Sequence, residues 1–269
     1  MSVPQNVLVE LEFTSPVFFQ RSWHERPWRI PSDYIVRALV YSYALLHNEP
    51  KEFLDTINKD LIRISSLLIF HKNNLYVPIS GIRGYRPIDG SDVIDSMDIM
   101  GTISKVRIPR IEEAEPTPYE EYVLETSKYK WGLIISSMDN KLTEKILPTL
   151  KVLGDLGIGA KKTKGGGRFD LLSVRPLKDF NLDVHWNGSG ILISRYIPSV
   201  SKNLPTKIKT LYQERVQIRY SEKIVYEFMS IAEGSELEIA DTGKVEIVKN
   251  DLEYDTPLYF RPLLLSYET

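Results

Sequence analysis

Residues 153–170 read LGDLGIGAKKTKGGGRFD. Six glycines, three lysines and an arginine fall in this one run, directly after an amphipathic stretch. The apolar residues before it, Leu147, Leu150, Leu153 and Leu156, recur at helical spacing. Gly157 and Gly159 then end the helix, with Pro148 expected to open it or to kink it. After the run, RFDLLSVRPL (168–177) reads as a strand. The order helix, glycine-rich loop, strand excludes a nucleotide-binding P-loop, in which phosphate sits at the start of a helix. The spacing fails too: Gly154 and Gly159 are followed by Ala160 rather than by Gly-Lys, and Lys162 stands where a dinucleotide fingerprint needs its last glycine. Two readings remain. One is a solvated hairpin with surface lysines. The other is a cradle for a polyanion, in which glycine lets backbone amides approach phosphate while Lys161, Lys162, Lys164 and Arg168 supply charge with no acid among them. On the cradle reading, replacing Gly166 by valine is expected to harm binding more than stability.

Working outward, NVLVELEF (6–13) alternates as a half-buried strand does and stops at Thr14-Ser15-Pro16. PSDYIVRALVYSYALLHNEP (31–50) changes period. Ile35, Ala38, Leu39, Ser42, Leu45 and Leu46 make one helical stripe that Ser32 can cap. RISSLLIFHKNNLYVP (63–78) reads as two strands joined by a turn, 78–122 as an irregular insertion broken by Gly, Pro and charge, and YKWGLIIS (129–136) as a strand. The resulting order is close to a split β-α-β, ferredoxin-like unit. Beyond Lys178 the segments are strand-like with no strong amphipathic helix. The expected organisation is therefore residues 1–177, carrying the insertion and the glycine-rich loop, and a smaller, mainly β unit over 178–269.

The chain of 269 residues is balanced in charge, 34 basic against 36 acidic, so only local clustering can argue for nucleic acid. It has no cysteine, which excludes disulfides, thiolate catalysis and cysteine-ligated zinc. The N-terminus lacks a signal-peptide pattern and no apolar run is long enough to span a bilayer, so a soluble, cytoplasmic protein is expected.

RSWHERPWR (21–29) interleaves Arg21, Arg26 and Arg29 with Trp23, His24 and Trp28, a pattern suited to single-stranded RNA or, alternatively, to tryptophans packed on the first helix. Arg37 on that helix extends the track or is merely solvated. The four histidines, His24, His47, His71 and His185, are scattered without metal-ligand spacing. Asp89, Asp92, Asp95 and Asp98 stand three apart, an acidic face if helical but not a calcium loop.

The loop 153–169 resembles the glycine-rich signature of the RAMP superfamily of CRISPR-associated proteins. SPVFFQRSWHERPWRIPSDYIVRALVYSYALL (15–46) resembles the group that caps the guide-RNA 5′ end, where a Ser-Asp pair opens the first helix. ISKVRIPRIEEAEPTPYEEYVLE, VYEFMSIAEGSELEI and TPLYFRPLLLSY follow in that group's order. The sequence is most similar to the 5′-handle-binding (fourth) subunits of Csm, type III-A, effector complexes. It departs from them in its triple glycine, where an aromatic often intervenes, and in Arg261-Pro262, where a Tyr-Gly-like turn is usual.

The resemblance implies an α+β fold of tandem ferredoxin-like (RRM-like) RAMP domains. It implies a non-catalytic RNA-binding subunit of an antiviral ribonucleoprotein, with no cofactor or metal. Its partners would be the crRNA 5′ handle, the large palm-domain polymerase subunit and a backbone RAMP subunit. The RNA-binding set carried over is Gly157, Gly159, Lys161, Lys162, Lys164, Gly165, Gly166, Gly167 and Arg168, joined by Arg21, Trp23, Arg26, Trp28, Arg29 and Ser32. A hairpin in the insertion is expected to wedge the guide, with Ile82, Tyr85 and Ile88 as wedges and Arg83 and Arg86 on phosphate. The alternatives are an endoribonuclease that processes precursor crRNA, which would use His24 or His47, and an interaction module that binds no RNA.

Overall fold

The computed structural model describes residues 5–19, 28–72, 74–88, 90, 92–107, 116–199, 205–220, 223–248 and 256–267. In chain order the first unit contains β1 (Gln5–Phe13), β2 (Val17–Phe18), α1 (Ser32–His47), α2 (Pro50–Asn58), β3 (Ile62–Ile64) and β4 (Leu68–His71). It continues with β5 (Asn74–Ile79), β6 (Gly84–Pro87), β7 (Ile94–Asp95), α3 (Ser96–Ile99), β8 (Met100–Arg107), β9 (Thr117–Leu124), β10 (Lys130–Ser137), α4 (Asn140–Leu156) and β11 (Phe169–Pro176). The central sheet runs β11-β1-β10-β4, antiparallel throughout, with β3 also on β10. This is the ferredoxin-like strand order, with β5, β6 and β7 extending the sheet beyond β4.

Alternation along the strands sorts two cores. Val7, Val9 and Leu11 of β1 and Trp131, Leu133 and Ile135 of β10 face Ile35, Leu39 and Tyr43 of α1 and Ile146, Leu150 and Leu153 of α4. Leu8 and Ile134 point the other way, into a second core with Leu182, Val184, Ile193 and Leu265. The expectation of a half-buried β1 is corrected, since β1 is covered on both faces. Helix α4 starts before Pro148, at an Asp139 cap whose side chain accepts from the Lys141 amide at 2.9 Å. Pro148 sits inside the helix.

The insertion is regular rather than irregular. Gly81 and Gly90 fall between short strands while Pro78, Gly84, Pro87, Gly101 and Pro118 are accommodated within them, and β8 and β9 form a hairpin that joins β2 in a three-stranded sheet.

The second unit contains β12 (Leu182–His185), β13 (Gly188–Leu192), β14 (Lys207–Thr210), β15 (Gln213–Tyr220), β16 (Lys223–Ile231), β17 (Glu236–Ile239), β18 (Lys244–Val248), β19 (Thr256–Phe260) and β20 (Leu264–Tyr267). Its sheet runs β12-β20-β13-β17-β14, all antiparallel. Numbering β13, β14, β17 and β20 as strands one to four gives the order 4-1-3-2, the ferredoxin-like order again. No helix follows the first of these strands among the described residues, and the hairpin β18–β19 follows the third.

That hairpin covers α1. Tyr259 is fully buried in the helix-side core, and its hydroxyl accepts from the Ile64 amide at 3.2 Å. Arg261 is buried and employed in the interior. Its guanidinium donates to the carbonyls of Ile57 and Asn58 at the end of α2 (3.2 and 3.1 Å) and pairs with Asp60 at 3.2 Å. It thereby satisfies orphan carbonyls at a helix C-terminus. The whole is α+β, two ferredoxin-like units packed sheet against sheet, the second with the hairpin β18–β19 where the first has α4. No described helix is long and apolar enough to cross a membrane.

Candidate nucleic-acid interface

The glycine-rich loop returns the chain from α4 to β11, and residues 14–18 form its floor. The Ala160 amide donates to the Phe18 carbonyl (2.7 Å) and Gly167 to Pro16 (2.9 Å). Ser15 works in both directions, its hydroxyl donating to the Gly165 carbonyl (2.7 Å) and accepting from the Arg168 amide (2.9 Å). Within the loop Ile158 donates to Gly167 (2.9 Å), Lys164 to Lys161 (2.8 Å), Gly165 to Lys162 (2.9 Å) and Gly166 to Lys161 (3.2 Å). Burial pushes the Tyr34 phenol up, against the smaller lowering effects of Arg37 and the Gly159 amide.

The expectation of amides left open for phosphate is therefore corrected: most of these donors are used inside the protein. Glycine is required here for close packing of backbone on backbone. A Cβ on Gly167, at φ +69°, would lie 1.8 Å from the Ile158 oxygen. One on Gly159, at φ +102°, would lie 2.5 Å from the Phe18 oxygen.

What the loop offers to solvent is charge. Lys162, Lys164 and Arg168 are exposed and form no ion pair among the described residues. The Lys162 ammonium lies 5.2 Å from the centre of the Tyr41 ring on α1. Lys161 differs, because it is paired with Glu121 of β9, which also accepts from Lys105 of β8 at 2.6 Å. Both ammoniums sit over the Phe18 ring, at 5.4 and 4.7 Å. Burial alone would raise the Glu121 carboxyl; the two lysines outweigh it and hold it below the usual range. Ser15, Phe18, Lys105 and Glu121 carry no functional mark in the sequence. Thr14-Ser15-Pro16 looks like a strand stop only, and the hairpin's approach to the loop is a long-range contact.

Three residues assigned to RNA lie in the interior. Trp28 is buried with its ring edge-on to Tyr85 at 5.6 Å. Arg29 is buried, stacked on Trp28 and paired with Glu214 and with the fully buried Glu233 (3.1 Å). Ser32 is fully buried and is the first residue of α1 rather than its cap; its amide donates to Ser66 Oγ (2.9 Å) and its hydroxyl accepts from the Arg195 amide (3.0 Å).

These residues belong to a charge network that ties the start of α1 to the second unit. Arg195 pairs with Asp33 (2.9 Å) and Glu214 (3.0 Å), and Asp33 also pairs with Arg37 (3.2 Å). Burial would raise the Glu233 carboxyl, but Arg29, Arg195 and the Ser66 hydroxyl hold it low. The remaining residues of that stretch, Arg21, Trp23, His24 and Arg26, lie outside the described residues.

The other candidates separate in space. His47 lies tilted against Tyr43 with ring centres 4.3 Å apart, His71 sits edge-on to Tyr129 at 5.4 Å, and His185 lies 3.7 Å from Asp183. The described members of the acidic series share no helix face. Asp92 is in a loop, Asp95 caps the short α3 through the Met97 amide (2.8 Å), and Asp98 lies within α3. No group that could hold a metal ion occurs among the described residues. Of the expected wedges, Tyr85 is fully buried, Ile88 packs partly against the inter-sheet core, and Ile82 stands exposed on a turn with Arg83. Arg86 pairs with Glu236 at 3.4 Å.

No family model and no curated protein matches the sequence. Solved structures do match it. A chain of the Csm3–Csm4 subcomplex in the type III-A CRISPR-Cas interference complex aligns at 17% identity and TM-score 0.62, covering 98% of this chain and 100% of its own. A chain of the Csm1–Csm4 cassette in complex with cA4 aligns at 16% and 0.60, covering 99% and 100%. A chain of the Csm1–Csm4 cassette in complex with pppApA aligns at 16% and 0.58, covering 98% and 99%. Csm4 is the component named in all three, and what these likenesses show of this chain is its fold, two ferredoxin-like units in tandem.

Proposed function

We propose that this chain is a non-catalytic, cytoplasmic RNA-binding subunit of a type III-A CRISPR interference complex. It caps the crRNA 5′ handle and joins the large palm-domain subunit to the backbone subunits. The observation that carries the RNA contact is the display of Lys162, Lys164 and Arg168 on a loop held rigid by its own backbone, with Glu121 engaging only Lys161 and Lys105. Cations fixed this way grip a sugar–phosphate chain without reading its bases. Arg21, Trp23 and Arg26 extend the same track in the proposal, whereas the buried Trp28, Arg29 and Ser32 act by anchoring it. Bridging is supported by the likeness to assemblies in which Csm4 is found with Csm3 and with Csm1. The precursor-processing alternative would draw on His24, which lies outside the described residues, or on His47, whose ring is engaged with Tyr43.

The test is reconstitution of the chain with the large and backbone subunits on crRNA with and without its repeat-derived 5′ segment. Recovery of both subunits in a handle-dependent assembly is expected. Assembly indifferent to the handle would overturn capping, and cleavage of precursor RNA by the purified chain alone would overturn the non-catalytic assignment.

A further inference from the structure

We infer that the open cleft between the two units, where the end of β6 faces β13, β14 and β17, is a nucleotide-binding groove that seats a base on its apolar floor and a phosphate on Lys207 and Lys209. The groove shares no lining residue with the glycine-rich loop, and the inference does not depend on that loop's grip on RNA.

The two sheets pack closely through Leu8, Ile134, Val184 and Leu265. Between Arg86 and Ile88 of the first unit and β13, β14 and β17 of the second they leave a groove of about 460 Å³. That volume is in the range of small-ligand sites, which favour the junction of two domains. Ile88, Ile191 and Leu265 line it with apolar surface. Strand alternation supplies its charge. Leu237 and Ile239 of β17 point into the second unit's own core, so Glu236 and Glu238 point into the groove, with Ser189 opposite Glu238. On the edge strand β14, Lys207 and Lys209 are 83% and 80% exposed.

These groups pair with one another: Lys207 with Glu238 at 3.0 Å, Lys209 with Glu236, and Arg86 with Glu236 at 3.4 Å. Pairs this open to water contribute under about 1 kcal/mol each and yield to a ligand. Three cations against two carboxylates leave the groove one positive charge in excess. A nucleotide matches all of this. Its phosphate takes the lysines. Its flat base covers the isoleucines and Leu265. Its ring N–H and amino groups donate to carboxylates, which accept only while ionised, and Lys209 and Arg86 hold Glu236 below the usual range. Guanine fits best, because it presents two donors side by side to one carboxylate. Uracil sets its single ring donor between two carbonyl oxygens that a carboxylate repels. A zwitterionic peptide is the competing occupant. The nucleotide arrives either free or as one residue of an RNA strand, and the test separates these sources.

The test is calorimetric titration of the full chain with GMP, UMP, guanosine and inorganic phosphate. GMP is expected to bind more tightly than the other three. Ser189→Trp, which fills the groove from an exposed position, is expected to abolish GMP binding without lowering the melting temperature. Lys207→Ala with Lys209→Ala is expected to weaken GMP about 10-fold or more and to leave guanosine unchanged. Glu236→Gln with Glu238→Gln is expected to remove the preference for GMP over UMP. Should Ser189→Trp fail to fold, the lysine pair decides alone. Loss of single-stranded RNA affinity in Ser189→Trp would identify the nucleotide as part of a strand; unchanged RNA affinity with GMP binding lost would identify it as free. Absence of GMP binding, or GMP binding indifferent to these variants, would overturn the groove. So would inorganic phosphate bound as tightly as GMP, or a glutamyl-lysine dipeptide that binds there when GMP does not.

Discussion

Ser15 holds Gly165 from below: its hydroxyl donates to the Gly165 carbonyl at 2.7 Å while accepting the Arg168 amide at 2.9 Å. The end of β1 thus organises a loop that lies 150 residues later in the same unit. Ser15→Ala removes both bonds at once. It is expected to cost about 1–2 kcal/mol in urea unfolding and to weaken RNA binding through a looser loop. Unchanged stability with unchanged affinity would show that the floor is unimportant.

The glycines are expected to differ sharply. Gly167→Ala places a methyl against the Ile158 carbonyl at positive φ and should cost roughly 3 kcal/mol or more. Gly165→Ala also sits at positive φ (+80°) but meets only the tip of Arg168, and should cost about 1–2 kcal/mol. Gly166 is buried with a would-be Cβ 2.7 Å from the Phe18 ring, so Gly166→Val is expected to lower stability first, which corrects the expectation from sequence that binding would suffer more. Thermal melts of the three variants check this order; equal melting temperatures would contradict it.

The first ferredoxin-like unit was legible because period and punctuation were local: the α1 stripe through Ile35, Leu39 and Ser42 (Leu45 and Leu46, read into it, are exposed), the loop after α4, and the strands around them. The covering of β1 was not, since the side chains that bury Leu8 come from beyond residue 176. Arg29 and Trp28 misled for a related reason. Interleaved arginine and tryptophan look the same whether they face RNA or a buried Glu233, and Glu233 is distant in the chain. The ferredoxin-like order of the second unit was legible only through the resemblance, because helices are its usual sequence mark and the hairpin β18–β19 takes the place of one of them.

Glu233 supplies a pH dependence. Its native carboxyl is held below its unfolded value, about 4.3, because Arg29 and Arg195 outweigh burial. Its contribution is present above that pH and is lost as pH falls through the native value. Glu233→Gln should cost about 3 kcal/mol at pH 7, and its deficit against the wild type should shrink in acid. A deficit constant from pH 7 to 3 would contradict the linkage.

On the proposed RNA-binding role, Glu121, which pairs with Lys161 and Lys105, would compete with RNA for them. Glu121→Gln is expected to tighten binding of single-stranded RNA and to steepen its salt dependence by about 0.7 for each lysine that turns to phosphate. The stability change should stay below about 1 kcal/mol. Weaker binding in fluorescence titrations would show instead that the carboxylate positions the loop.

The most direct measurement is the salt dependence of RNA affinity for the wild type and for the chain with alanine at residues 162, 164 and 168 together. If these side chains hold phosphates, the log–log slope on single-stranded RNA falls by about 2, near 0.7 for each phosphate no longer neutralised. An unchanged slope would contradict the proposed grip on the RNA backbone.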